Sequence, residues 1–97
     1  IFGPVVTLIP FSNEEEAISI ANDSSYGLSA TIWTQDIEKA HRTAEQLDTG
    51  TIWINCWLIR DLRTPFGGMK SSGMGREGGD EIFRFFTEPK NICFTMG

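Results

Sequence analysis

An α/β fold with a parallel βαβαβ unit is what this sequence predicts, on three observations. Short β-branched apolar runs alternate with helical stretches in the order strand, helix, strand, helix, strand. The second helical stretch has a clear apolar face, with Ile37, Ala40, Ala44 and Leu47 at i, i+3, i+7 and i+10. After the third strand the periodicity stops, and a glycine-dense loop leads to a short aromatic-rich helix and a last strand. Consecutive parallel strands joined by helices imply right-handed crossovers.

Each element has a local reason. Pro4-Val5-Val6-Thr7-Leu8-Ile9-Pro10-Phe11 is short, β-branched and closed by proline, the pattern of a buried strand. Ser12-Asn13-Glu14-Glu15 is a capping-box pattern, in which Ser12 and Glu15 would satisfy each other's backbone donors. Glu14, Glu15 and Glu16 also suit the positive end of a helix dipole. Ala17, Ile18, Ile20 and Ala21 form that helix's apolar stripe, and the polar stretch Asn22 to Ser25 ends it. Leu28 to Trp33 reads as the second strand, and the second helix starts at about Asp36. Gly50 falls where a left-handed C-cap is wanted. Thr51 to Asn55 is the third strand, Asp80 to Phe86 the short helix, and Lys90 to Thr95 the final strand. The loop from Trp57 to about Gly79 should be ordered, because disorder would leave Trp57, Leu58, Ile59, Leu62 and Phe66 in water.

Composition narrows the function. The chain carries a net charge of −5, with eight acidic and two basic side chains in residues 1–50 against five and six in 51–97. An acidic chain repels phosphate backbones, which argues against nucleic acid as a partner; the mildly basic second half suits an anionic small molecule. No apolar run approaches the ~18 residues a membrane span needs. Cys56 and Cys93 are 37 positions apart, with no CxxC pattern and no clustered histidine. That spacing favours neither a metal site nor a disulfide framework and suits a reducing, cytoplasmic setting. The opening Ile1-Phe2-Gly3-Pro4 has no signal-peptide character and reads as part of a longer chain.

Ligands of open α/β sheets bind beyond the carboxyl ends of the strands, which directs attention to Asn55 to Gly68. There Arg60 and Arg63 frame Asp61. A guanidinium can grip a substrate carboxylate through two parallel hydrogen bonds, or pair with Asp61 or another local acid; both readings stand. Phe66, followed by Gly67-Gly68, either faces a ligand or anchors the loop. Gly73-Met74-Gly75-Arg76-Glu77-Gly78 is a literal GxGxxG, yet no strand precedes it and no acidic residue lies about 20 positions on. A turn with positive φ angles is the better reading. Cys56 lacks an evident base, His41 lies within the second helix, and Glu77 beside Arg76 reads as an ion pair. No complete catalytic set emerges from these residues, so none is assigned a catalytic role.

The order and spacing of the signals resemble the C-terminal part of aldehyde dehydrogenases along essentially the whole chain. The residues carrying the resemblance are Ile1-Phe2-Gly3-Pro4, Ala21-Asn22 with Tyr26-Gly27-Leu28, Gly50 to Asn55, Pro65-Phe66-Gly67-Gly68, Lys70 with Ser72-Gly73, and Gly75-Arg76-Glu77. The resemblance implies an NAD(P)-linked oxidation of an aldehyde to an acid. In it a cysteine attacks the carbonyl, hydride passes to nicotinamide, and a glutamate-activated water hydrolyses the thioester. It further implies that this cysteine, this glutamate and the NAD-binding Rossmann domain lie upstream of Ile1, so the isolated chain should be inactive. Phe2 matches an aromatic beside the nicotinamide ribose, Phe66 one at the aldehyde pocket, and Asn55 a scaffolding residue at a strand end. Arg76-Glu77 match a structural turn.

On the same resemblance, residues 1–88 are the C-terminal part of a catalytic domain, and 89–97 hold a strand that joins a neighbouring subunit of a dimer or tetramer. Asn55 to Phe66 is most similar to the 2-aminomuconate and 2-hydroxymuconate semialdehyde branch. Arg60 there stands where other branches carry an apolar or aromatic residue. This favours Arg60, with Arg63 second, as the group that binds a substrate carboxylate. The rival is a non-catalytic α/β module that only binds a partner chain. Two long helices cover a parallel sheet poorly, so exposed edges and an apolar face are expected.

Overall fold

The computed structural model describes residues 2–97; Ile1, the first residue of the Ile1-Phe2-Gly3-Pro4 signal, lies outside the described residues. Helix α1 spans Glu14–Asn22, strand β1 Tyr26–Gly27 and strand β2 Ser29–Ile32. Helix α2 spans Ile37–Gln46 and strand β3 Thr51–Ile54. Strand β4 follows at Met69–Lys70 and helix α3 at Glu81–Phe86. The two longer strands, β2 and β3, lie parallel, from Ser29 opposite Thr51 to Ile32 opposite Ile54, with α2 as the connection between them. The α/β class and the parallel crossover are therefore as the sequence predicts.

Local capping explains where both long helices begin. Asp36 caps α2, its Oδ1 accepting from the Lys39 backbone N–H at 3.0 Å. The capping box of α1 is displaced by one residue from the predicted Ser12–Glu15 pair. Asn13 is the cap, its Oδ1 accepting from Glu16 N–H at 2.9 Å, and Glu16 Oε2 accepts from the Ser12 backbone N–H at 2.7 Å. With three successive glutamates available, the cap residue decides which of them reaches back. The helices are tied together where Arg42 donates to both carboxylate oxygens of Glu14, at 2.9 and 2.7 Å. That guanidinium holds the Glu14 carboxyl below its ordinary range, and the carboxylate raises Arg42 in return.

Three expectations need correction. Residues 4–11 form no strand and lie exposed, with Val6 and Leu8 more than four-fifths so. The third parallel strand is thus absent among the described residues, because a ladder needs a partner and this segment finds none. For the same reason Lys90 to Thr95 forms no ladder and is exposed. Gly50 is not a left-handed cap: α2 ends on Leu47 in extended geometry, and Gly50 has no positive φ. Its role is close approach, since a Cβ there would lie 1.6 Å from the Gly67 carbonyl oxygen. An element the sequence did not predict is the antiparallel pair of β1 and β4, with Tyr26 opposite Lys70 and Gly27 opposite Met69.

The core is small. Among the described residues, Ala40, at the centre of the α2 face, and Trp53, on β3, are the buried apolar side chains. The accessible surface is 8404 Å², against about 5,500 Å² for a self-contained globule of this mass. The radius of gyration is 18.6 Å, against about 12.5 Å for a compact chain of this length. The expected exposed edges and apolar face are present on a large scale, and Val5, Leu8, Phe11, Phe83, Phe86, Ile92 and Phe94 are all exposed.

Candidate functional site

The loop after β3 is held from below by the strand it leaves. Asn55 adopts left-handed geometry at φ 54°, one of the few side chains that tolerate it, and turns its amide across to the end of β2. Its Oδ1 accepts from Thr34 N–H at 2.9 Å, and its Nδ2 donates to the Thr34 carbonyl at 2.7 Å. This two-bond clasp joins both strand ends and agrees with a scaffolding role. Buried Trp53 extends the grip, its indole Nε1 donating to the Ile59 carbonyl at 2.7 Å across Leu58, itself at φ 57°. The core thereby sets the path of the chain immediately before Arg60. Trp53→Phe keeps an aromatic ring but loses the donor and part of the indole's bulk. It should cost about 1 kcal/mol and speed proteolytic cleavage at residues 57–62 of the complete protein. Cleavage at the unaltered rate would show that the bond does not restrain the loop.

Arg60, Phe66 and Glu77 converge. The Arg60 guanidinium carbon stands 4.1 Å from the centre of the Phe66 ring, a cation–π stack. Its Nη2 pairs with Glu77 Oε1. Phe66 and Glu77 are themselves joined as an isolated antiparallel bridge, each N–H donating to the other's carbonyl at 2.8 Å. The sequence put Glu77 with Arg76; the fold does otherwise. Arg76 turns inward and donates through Nη1 to the Gly68 and Gly75 carbonyls, at 2.9 and 2.7 Å, tying the loop to itself. A cavity of about 480 Å³ opens beside the cluster, walled by Leu28, Phe66, Arg76, Glu77, Ile82 and Phe85. A second hollow, at the carboxyl ends of β2 and β3, is lined by Trp33, Thr34, Ile54 and Asn55, among others, and includes neither Arg60 nor Phe66.

Arg63 has a different environment. It contacts both oxygens of Asp61, at 2.5–3.1 Å, and its side chain is 89 % exposed. Each partner stabilises the other's charge, so the Asp61 carboxyl is held low and the Arg63 guanidinium high. This is the local ion pair that the sequence left open: Arg63 forms it with Asp61, and Arg60 forms its own with Glu77.

The GxGxxG segment is a turn, with Gly75 at φ 70° and Gly78 at φ 81°. A Cβ on Gly75 would sit 2.2 Å from the Phe85 ring, so this face is filled by protein and leaves no phosphate cradle. Phe2 is fully exposed. Cys56 is half-buried and Cys93 exposed, and among the described residues neither is hydrogen-bonded to a base. His41 is exposed on α2. Among the described residues no cluster of His, Cys, Asp and Glu could hold a metal ion. No helix among the described residues is long and apolar enough to cross a membrane.

A polar knot behind the site went unread in the sequence. Asn22 donates to the Gln46 carbonyl at 2.7 Å and accepts from Asp48 N–H at 2.9 Å. Lys70 Nζ donates to the Asn22 and Ser24 carbonyls, at 2.9 and 3.2 Å, and lies 3.5 Å from Asp48. Ser72 Oγ accepts from Gly27 N–H at 2.9 Å. These bonds satisfy the frayed carbonyl ends of α1 and α2 and fix β4, from which the loop returns towards Glu77. The only sequence signal was the recurrence of isolated polar residues in the family resemblance, which names positions without naming partners.

The aldehyde dehydrogenase family profile matches residues 1–92. A 2-aminomuconic semialdehyde dehydrogenase of Danio rerio is 58 % identical over 92 residues, covering 95 % of this chain and 19 % of that protein. A 2-hydroxymuconic semialdehyde dehydrogenase of Pseudomonas sp. (strain CF600) is 57 % identical over 96 residues, covering 99 % and 20 %. The NAD+ complex of an aldehyde dehydrogenase from Bacillus cereus superposes with a TM-score of 0.86 at 49 % identity, over 90 % of this chain and 18 % of that one. A Mycobacterium tuberculosis aldehyde dehydrogenase, complexed with NAD+, gives 0.87 at 49 % identity, over 99 % and 20 %. The chain spans about a fifth of the length of the relatives it matches. With almost its whole length inside the family profile and its backbone following these solved structures, the chain belongs to the aldehyde dehydrogenase family.

Proposed function

We propose that this chain is part of an NAD-dependent dehydrogenase that oxidises a carboxylate-bearing semialdehyde, 2-aminomuconate or 2-hydroxymuconate semialdehyde, to the acid. Its own contribution is to hold the substrate's remote carboxylate. The observation that carries this reading is Arg60, stacked at 4.1 Å on Phe66 with about a third of its side chain still open. A guanidinium fixed face-on by a ring has lost most of its rotational freedom before a ligand arrives, so a bidentate carboxylate costs little further ordering. Pinning the far carboxylate leaves the aldehyde end a small arc in which to swing, which raises its effective concentration at the reacting groups. Arg63, already paired with Asp61, takes the lesser part of buttressing the loop. The names of the relatives from Danio rerio and Pseudomonas support the same substrate class.

NAD, when bound, would supply the acceptor for the hydride that leaves the substrate's aldehyde carbon. The residues here do not build a dinucleotide cradle, since the glycine-rich turn is packed against Phe85. Fully exposed Phe2 can add one ring to the cofactor wall. In this reading the nucleophilic cysteine and the activating glutamate are other residues of the complete protein, and residues 1–97 alone are inactive. Residues 1–88 belong to the catalytic domain. The unpaired, exposed segment Lys90 to Thr95 supplies a strand to a neighbouring subunit of a homodimer or homotetramer. Two free thiols suit a cytoplasmic enzyme.

The test compares kcat/KM of the complete enzyme for a semialdehyde ending in a free carboxylate and for its methyl ester. The acid should be preferred by about ten-fold or more, the worth of a charge-assisted hydrogen bond. Equal values would overturn the assignment.

A further inference from the structure

We propose that Glu77 is the resident counter-ion of Arg60, and that a substrate carboxylate binds by displacing the Glu77 carboxylate from the guanidinium; this rests on the reading of Arg60 above. The charge balance of the loop points there. Asp61 has both oxygens committed to Arg63, so the acid that neutralises Arg60 is Glu77, 17 positions on. Arg60 and Glu77 meet through one nitrogen and one oxygen, whereas Arg63 and Asp61 share three contacts. A one-point pair is the weaker of the two, and a bidentate carboxylate outcompetes it.

The geometry makes the exchange local. Glu77 is anchored by its backbone, through the paired 2.8 Å bonds to Phe66, and its side chain has Arg60 as its partner. Its side chain is 55 % exposed among the described residues, which leaves it room to rotate away from Arg60. Phe66 is common to both halves: its backbone fixes Glu77, and its ring fixes the guanidinium during the exchange. No loop has to open. A neutral aldehyde leaves the resident pair intact, and a small anion without a second anchoring point gains too little from Arg60 to replace Glu77. The device therefore selects for a carboxylate attached to something that is also held elsewhere.

The experiment uses the complete enzyme and the six-carbon dicarboxylate adipate, titrated calorimetrically. Glu77→Gln removes the competing charge at nearly constant size, and adipate should bind about three- to five-fold tighter, the worth of a part-exposed ion pair. Glu77→Ala should tighten binding in the same direction. KM for the acidic semialdehyde should fall alongside, which keeps the result decisive even where adipate binds too weakly to titrate. Unchanged or weaker binding in both variants, with melting temperatures kept, would overturn displacement and leave Glu77 as a strut that positions Arg60. Arg60→Ala separates the two levels. If it leaves adipate affinity unaltered, the reading of Arg60 fails; if it weakens adipate while the Glu77 variants do not strengthen it, only the displacement fails.

Discussion

Replacing Arg60 by alanine in the complete enzyme is expected to raise KM for the carboxylate-bearing semialdehyde by about ten- to a hundred-fold. A neutral aldehyde of similar length should change by less than about two-fold, because Arg60 would make no contact with it that survives into the reaction. Two effects add in the acid's case. The charge-assisted hydrogen bonds are lost, and Glu77 is left facing the cavity without its ion-pair partner, so an arriving carboxylate meets repulsion where it met attraction. Arg60→Lys should recover little, since an ammonium neither stacks flat on Phe66 nor grips both oxygens in one plane. Steady-state kinetics on the two substrates decide the matter. Equal losses on both would mean that Arg60 supports the loop and not the substrate.

Gly50→Ala is expected to be the most disruptive single-methyl change in the chain. The added Cβ would fall 1.6 Å from the Gly67 carbonyl oxygen and 2.8 Å from its carbon, both backbone atoms that no rotamer change can move aside. Gly50 N–H also donates to the Gly27 carbonyl at 3.1 Å, so the position is confined from both sides. Either β3 or the 66–68 segment must shift, at a cost of about 2–3 kcal/mol as in overpacked interiors. Gly67 directly follows Phe66, so the shift carries the ring from beneath Arg60, and preference for the acidic substrate should fall together with stability. Gly73→Ala is the control: the nearest atom to its Cβ is 3.8 Å away and its φ is ordinary, so melting temperature should hardly move. A Gly50→Ala enzyme that melts with the parent would refute the close approach.

How much of this was legible beforehand varies with the range of the interaction. The α2 face, its start at about Asp36 and the β2–β3 crossover follow from periodicity and side chains within one turn of each other, and these came out as read. The α1 cap slipped by one residue because Ser12 and Asn13 are both competent caps, and local pattern does not rank them. Residues 4–11 have the composition of a strand and no strand beside them, and composition contains no information about a partner. At the site, Arg60 and Phe66 were both singled out, yet the stack between them and the partner of Glu77 were not foreseen. Sequence adjacency suggested Arg76 for Glu77, but the Phe66–Glu77 bridge turns that residue towards Arg60.

By sequence alone the chain declared its class, its two long helices, its parallel pair and the family whose signals it carries, because each depends on neighbours a few positions apart or on the order of short motifs. Only the tertiary structure decided which acid neutralises which arginine, why residue 50 must lack a side chain, and how Asn22, Lys70 and Ser72 close into one knot. Apart from Asp61 with Arg63, those outcomes are set by backbone paths that bring together residues 17 to 48 positions apart, and such proximity is a property of the folded chain and not of any window of it.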